Sequence, residues 1–153
     1  MPIFIRENKI VILAIAAGVL VIMYSFTSRV DVYNPLAQYE AAMRMDTIGG
    51  RTPEETFRLF VAALRRDDAE RASEYFMLDS SLSRKKWLDR LLQLQSQHLL
   101  ISMAYDLETH ARQTKPLYEG DAGYELLNDD GTVGAVIDLE FNRFGGVWKL
   151  QSF

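Results

Sequence analysis

"RTPEETFRLFVAALRRDDAERASEYF", Arg51 to Phe76, dictates much of what must surround it. Thr52, Pro53 and Glu55 stand where an N-cap, a first-turn proline and a capping-box glutamate belong, and Glu54 adds charge that complements the helix dipole. Phe57, Phe60, Val61 and Leu64 follow at i, i+3, i+4 and i+7, while Arg58, Arg65 and Arg66 mostly point to water. One face is therefore strongly apolar and must be covered. Asp67-Asp68 interrupts the pattern, and Asp68 can cap a second, shorter helix that buries Ala72, Tyr75 and Phe76.

Downstream, Ser81 or Ser83 can start a third helix with the stripe Trp87, Leu88, Leu91 and Leu94. Leu100, Met103, Leu107 and Ala111 keep the helical period, which predicts a fourth helix ending near Arg112 to Thr114. The alternation of Ile101, Met103, Tyr105 and Leu107 also admits a strand there. Pro116 and Gly120 end helical structure. From Ala122 the period becomes two: Tyr124 and Leu126 lead into Asn128-Asp129-Asp130-Gly131, a tight-turn signal, and Ala135, Ile137, Leu139 and Phe141 alternate with Val136, Asp138, Glu140 and Asn142. Gly145-Gly146 makes a second turn, after which Trp148 and Leu150 are expected to bury a last strand. Helices followed by an antiparallel meander make an α+β domain, its helix stripe packed on the concave face of a curled sheet, with Phe60 and Trp148 in the core. Asp138, Glu140 and Asn142 are placed together on the wet face.

Upstream, "YNPLAQYEAAMRMDTIGG" reads as a short helix, with Asn34 as N-cap, Pro35 in the first turn and Leu36, Tyr39 and Met43 on one side, followed by a hinge at Gly49-Gly50. Before it, "IVILAIAAGVLVIMYSF" runs from Ile10 to Phe26 without a charge. That is long enough to cross the hydrocarbon core, for which about 17 residues is the lower limit. A cleaved signal would end in small residues, whereas this run ends in Met23-Tyr24-Ser25-Phe26. The expectation is an uncleaved signal anchor over residues 10–28, between a short cytoplasmic segment, 1–9, and a juxtamembrane helix and linker, 29–50. Residues 51–153 then form the domain. Arg6 and Lys9 before the span, against Arg29 offset by Asp31 after it, favour an inner-membrane orientation with the N-terminus inside and the domain extracytoplasmic.

The sequence carries a formal net charge of −4. From Val30 onward fourteen Lys and Arg face twenty Asp and Glu, which argues against nucleic acid as a partner. Ile101 to Asn142 holds nine acidic residues against Arg112 and Lys115. Arg84-Lys85-Lys86 with Arg90 is the one basic cluster, read as a solvated helix start. The chain lacks cysteine, and His98 and His110 sit in no metal-ligand spacing, so neither metal nor cofactor is expected. Asn128-Asp129-Asp130-Gly131 lacks the alternating ligands of a calcium loop and is a turn.

The cap, helix, acidic break and second helix of "TPEETFRLFVAALRRDDAERASEYF", with the closing "GGVWKLQSF", resemble the nuclear transport factor 2 superfamily (cystatin-like or SnoaL-like), and more narrowly bacterial single-pass proteins carrying such a domain outside the membrane. The resemblance spans roughly Arg51 to Phe153. It implies a cone of three or four helices on a curled antiparallel sheet. It also points to Tyr75, Tyr105, Asp106, His110 and Tyr124 as candidates for a ligand cavity in the cone mouth. None of the five lies in a matching catalytic motif, and Asp106 with His110 at i, i+4 is equally an exposed ion pair. The resulting expectation is a membrane-anchored, non-enzymatic binding or assembly module, held in lipid by residues 10–28 and meeting a protein partner or a second copy through Asp138, Glu140 and Asn142. The alternative is a small-molecule-binding domain, or a lyase or isomerase, using the cone cavity.

Overall fold

The computed structural model describes residues 34–114 and 120–153. The expected anchor and Pro116 lie outside them. Among the described residues no helix is long and apolar enough to cross a membrane. Residues 36–153 form one compact unit, which includes residues 36–50 of the stretch read above as a juxtamembrane helix and linker.

The fold is α+β. Five helices occur among the described residues: α1 (Pro35–Met45), α2 (Pro53–Arg65), α3 (Ala69–Ser73), α4 (Lys85–Ser96) and α5 (Leu100–His110). Four strands, β1 (Ala111–Gln113), β2 (Asp121–Leu127), β3 (Val133–Asn142) and β4 (Val147–Ser152), form one antiparallel sheet in sequence order. Thr52 Oγ1 accepts the Glu55 N–H at 3.2 Å, starting α2. The Glu55 carboxylate reaches back to the Arg51 N–H rather than to the cap residue's own, so the box closes one residue early. Asp67, with φ at 55°, turns the chain through the left-handed region that Asp tolerates better than most residues. Asp68 Oδ1 then accepts from the Arg71 N–H at 2.9 Å and starts α3.

Phe60, Leu64, Phe76, Leu91, Leu107 and Leu150 are buried together between helices and sheet. The stretch after α3 covers the β4 edge: the Met77 N–H donates to the Leu150 carbonyl and the Leu150 N–H to the Tyr75 carbonyl, at 2.8 and 2.9 Å. An edge strand is thereby denied to other chains. Gly131 (φ 80°) and Gly146 (φ 71°) take the left-handed conformation at the two hairpin turns, where a side chain would be strained.

Four expectations need correction. The fourth helix stops at His110, because Ala111 is extended and pairs with Leu126, making Ala111–Gln113 a strand. Asn142 is not on the wet face: 1% exposed, it donates through Nδ2 to the Met43 and Asp46 carbonyls at 2.8 and 3.2 Å. The end of α1 therefore covers that part of β3, while Asp138 remains in water and Glu140 partly so. Trp148 is only half-buried, and its neighbour Lys149 is the fully buried residue. Gly49-Gly50 is no hinge. The Gly50 N–H donates to Thr56 Oγ1, Trp148 donates to the Gly50 carbonyl, and a Cβ on Gly49 would lie 2.5 Å from the Trp148 carbonyl.

Candidate functional site

Helix α5 packs against β1 and β2, and α4 packs on α3 and α5, without filling the space over the β2–β3 hairpin. Leu126 faces Ala135 across the register, so a small side chain stands where a large one would close the gap. The result is a cavity of about 370 Å³. Leu94, Leu99, Met103, Leu107, Ile137 and Phe153 supply its apolar wall, and Arg90, Ser102 and Asp106 its polar groups. A second depression of about 460 Å³ adjoins it along α4, sharing Arg90 and Phe153 and adding Lys86, Trp87, Asp89 and Gln93. A third, of about 360 Å³, lies between α2 and α5, where Arg65 and Glu108 pair at its rim.

The five cavity candidates are not brought together. Only Asp106 lines the 370 Å³ cavity. Tyr105 projects into solvent at 64% exposure, and Tyr75 is buried with the Arg71 guanidinium 5.5 Å from its ring centre. Tyr124 is buried against Phe57, ring centres 4.1 Å apart, and burial, with the nearby Glu54 charge, pushes its hydroxyl up to about 12. His110 does not pair with Asp106; its Nε2 lies 3.9 Å from Asp129 Oδ1 at the hairpin tip. No acid–base pair converges on a common volume among these residues. Of the partner-face residues, Asp138 accepts from the Ser152 hydroxyl, Glu140 accepts from Gln151, and Asn142 is buried under α1.

Two functional features escaped sequence reasoning. Leu94, Met103 and Leu107 were legible as core stripes, but that Ala135 leaves them underpacked was not. The other is a buried charge cluster. Lys149 Nζ, in a side chain with no exposure, lies 2.5 Å from Asp46 Oδ1 and donates to the Glu74 carbonyl at 2.8 Å. Arg84 holds the second Asp46 oxygen and, through Nε, the Phe76 carbonyl. Burial, opposed by the hydrogen bond to Asp46 and reinforced by the Arg84 charge, pulls the Lys149 ammonium from 10.5 down to about 8. The cluster meets solvent only along Arg84, whose side chain is 20% exposed, and ties the end of α1, the start of α4 and β4 to one point.

A pH dependence follows from Lys149. Between about 8 and 10.5 the unfolded chain holds this proton and the folded chain has released it, so stability must rise with pH in that window. From pH 7.5 to 9.5, below the range in which Tyr124 counts, the gain is expected to be about 2 kcal/mol, and Lys149→Met should abolish it. Urea unfolding of both proteins at the two pH values measures the difference; parallel profiles would show that Lys149 does not titrate in the fold.

No protein-family model matches the chain, and neither the curated proteins nor the solved structures yield a match.

Proposed function

We propose that the chain is a membrane-anchored, non-enzymatic binding module whose domain stands outside the cytoplasmic membrane in a nuclear transport factor 2-like cone and takes an apolar small molecule in the groove between α4, α5 and the sheet. The observation that carries this is the 370 Å³ cavity, whose wall is apolar and whose polar groups are few. Its volume falls at the lower end of small-molecule sites, which are mostly apolar with a small number of orienting polar groups. The span from Ile10 to Phe26 supplies the anchor.

A second reading, assembly with another protein, draws on the sheet. Asp121 stands directly opposite Glu140, one strand away from Asp138. Like charges in direct register destabilise a sheet, so the arrangement suits a basic partner surface better than it suits the isolated fold.

One experiment weighs both. The full chain is extracted from native membranes in polymer-bounded discs, and its bound contents are identified by mass spectrometry. Wild type is expected to carry an apolar small molecule that Met103→Trp, which fills the groove, excludes and that Asp138→Asn/Glu140→Gln retains. A disc holding no such molecule but holding a protein lost from the acidic-face variant would overturn the groove reading in favour of assembly.

A further inference from the structure

The basic cluster at the start of α4 has an orientation that its sequence hides. Arg84 turns inward to Asp46 and the Phe76 carbonyl, and Lys85 is occupied by both oxygens of Asp89, at 2.9 and 2.7 Å. Lys86 and Arg90, one helical turn apart, remain. Lys86 Nζ sits 4.6 Å from the centre of the Trp87 ring. Arg90 has no ion pair among the described residues. Both line the outer depression, and Arg90 also lines the apolar cavity, so two cations on α4 stand along a trough made of two adjoining depressions that share Arg90 and Phe153. Asp89, the acid beside them, is already neutralised by Lys85. Asp106, the one acid in the cavity lining, stands on α5 and does not reach the outer depression. The trough thus joins two cations on α4 to apolar walls and a single acid on α5.

We infer that this trough binds an anionic amphiphile, with its carboxylate-type head group on Arg90 and Lys86 and its apolar body laid past Phe153 toward Met103 and Ile137. The inference rests on the groove reading above and adds to it the ligand's charge and direction. A guanidinium matches a planar anion with two parallel hydrogen bonds, and the Trp87 face holds Lys86 beside it. Asp106, on α5, disfavours a carboxylate beside it and so directs the head group to the α4 cations. A cationic amphiphile would meet both charges reversed.

The test uses the full chain in discs of zwitterionic lipid, with empty discs subtracted, and titrates octanoate, octanol and octylamine by calorimetry. Octanoate is expected to bind saturably and most tightly, with its Kd raised roughly tenfold or more by Arg90→Gln and by Lys86→Gln. Octanol should be indifferent to both changes. These substitutions are on the surface, so an unchanged melting temperature is expected and certifies the fold. In a Trp148→Phe background, 2-bromooctanoate should quench Trp87 fluorescence more than 8-bromooctanoate, because bromine beside the carboxylate then lies nearest the indole. Octanoate and octanol binding equally, with no loss in either variant, would overturn the head-group assignment and leave the groove standing. Preference for octylamine, or stronger quenching by the 8-bromo probe, would reverse the polarity and also overturn it. No saturable binding by any probe would remove the groove reading and this inference together.

Discussion

Replacing Asp46 with Asn is expected to lower stability by about 3–5 kcal/mol, because it leaves buried cations without their counter-charge. Asp46 is 8% exposed and its two oxygens are divided between Lys149 and Arg84. An amide keeps the shape but cancels the charge, and its N–H faces either Arg84, which can only donate, or Lys149, which can accept only by giving up its proton. Lys149 would retain the Glu74 carbonyl and Arg84 the Phe76 carbonyl, neither of which offsets a charge held out of water. The converse change is instructive. Lys149→Met removes the cation that gains least from burial and leaves the Asp46–Arg84 pair intact, so it should be close to neutral at pH 7, since buried ion pairs are often replaceable by apolar side chains. Urea unfolding followed by circular dichroism measures both. A loss below about 1 kcal/mol for Asp46→Asn would mean that water enters the cluster and that it does not clamp α1.

What could be read from the sequence was what neighbours in the chain decide. The caps at Thr52 and Asp68, the stripe through Phe60 and Leu64, and the glycine turns at Gly131 and Gly146 all follow from residues within a turn or two of one another. Failures came where a distant segment overrides the local pattern. The period of two correctly places Asn142 beside Asp138 and Glu140, yet the end of α1, almost a hundred residues away, returns over that face and takes both Nδ2 hydrogens. Lys149 is buried for the same reason, and nothing in "GGVWKLQSF" distinguishes it from a surface lysine. Strand β1, three residues long, has no alternation of its own and exists only as the partner of β2. In the candidate site, the lining residues were visible as stripes. Whether stripes meet or leave a void depends on Ala135 opposite Leu126, a register known only once the hairpin is built.

Phe76→Ala should be as damaging as the loss of any apolar side chain in this fold, about 3–5 kcal/mol. Phe76 has no exposure and lies among three other rings: edge-on to Phe60 at 5.6 Å, stacked on Trp87 at 4.5 Å and tilted to Phe153 at 5.5 Å. It thereby joins α2, α4 and the end of the sheet. The backbone cannot collapse to fill the hole, because the Met77 N–H and the Tyr75 carbonyl on either side are bonded to Leu150, so the cavity term should be near its upper range. Trp148→Ala offers the comparison. Its indole is half-buried and touches Phe141 at the hairpin end, so truncation should cost clearly less despite the larger ring. Because Phe60 and Phe76 share a face, Phe60→Ala/Phe76→Ala should cost less than the two single losses added together, whereas Phe76→Ala/Trp148→Ala should be additive within about 0.5 kcal/mol. If the first pair proved additive, or if Trp148→Ala proved the costlier single change, the core would centre on the hairpin and not on the Phe60–Phe76–Trp87 stack. Trp87 also faces the outer depression, so loss of Phe76 should disturb the floor of the proposed head-group site before it unfolds the domain. Intrinsic fluorescence of Trp87 in the Trp148→Phe background would report that step as a red shift preceding the loss of helical signal.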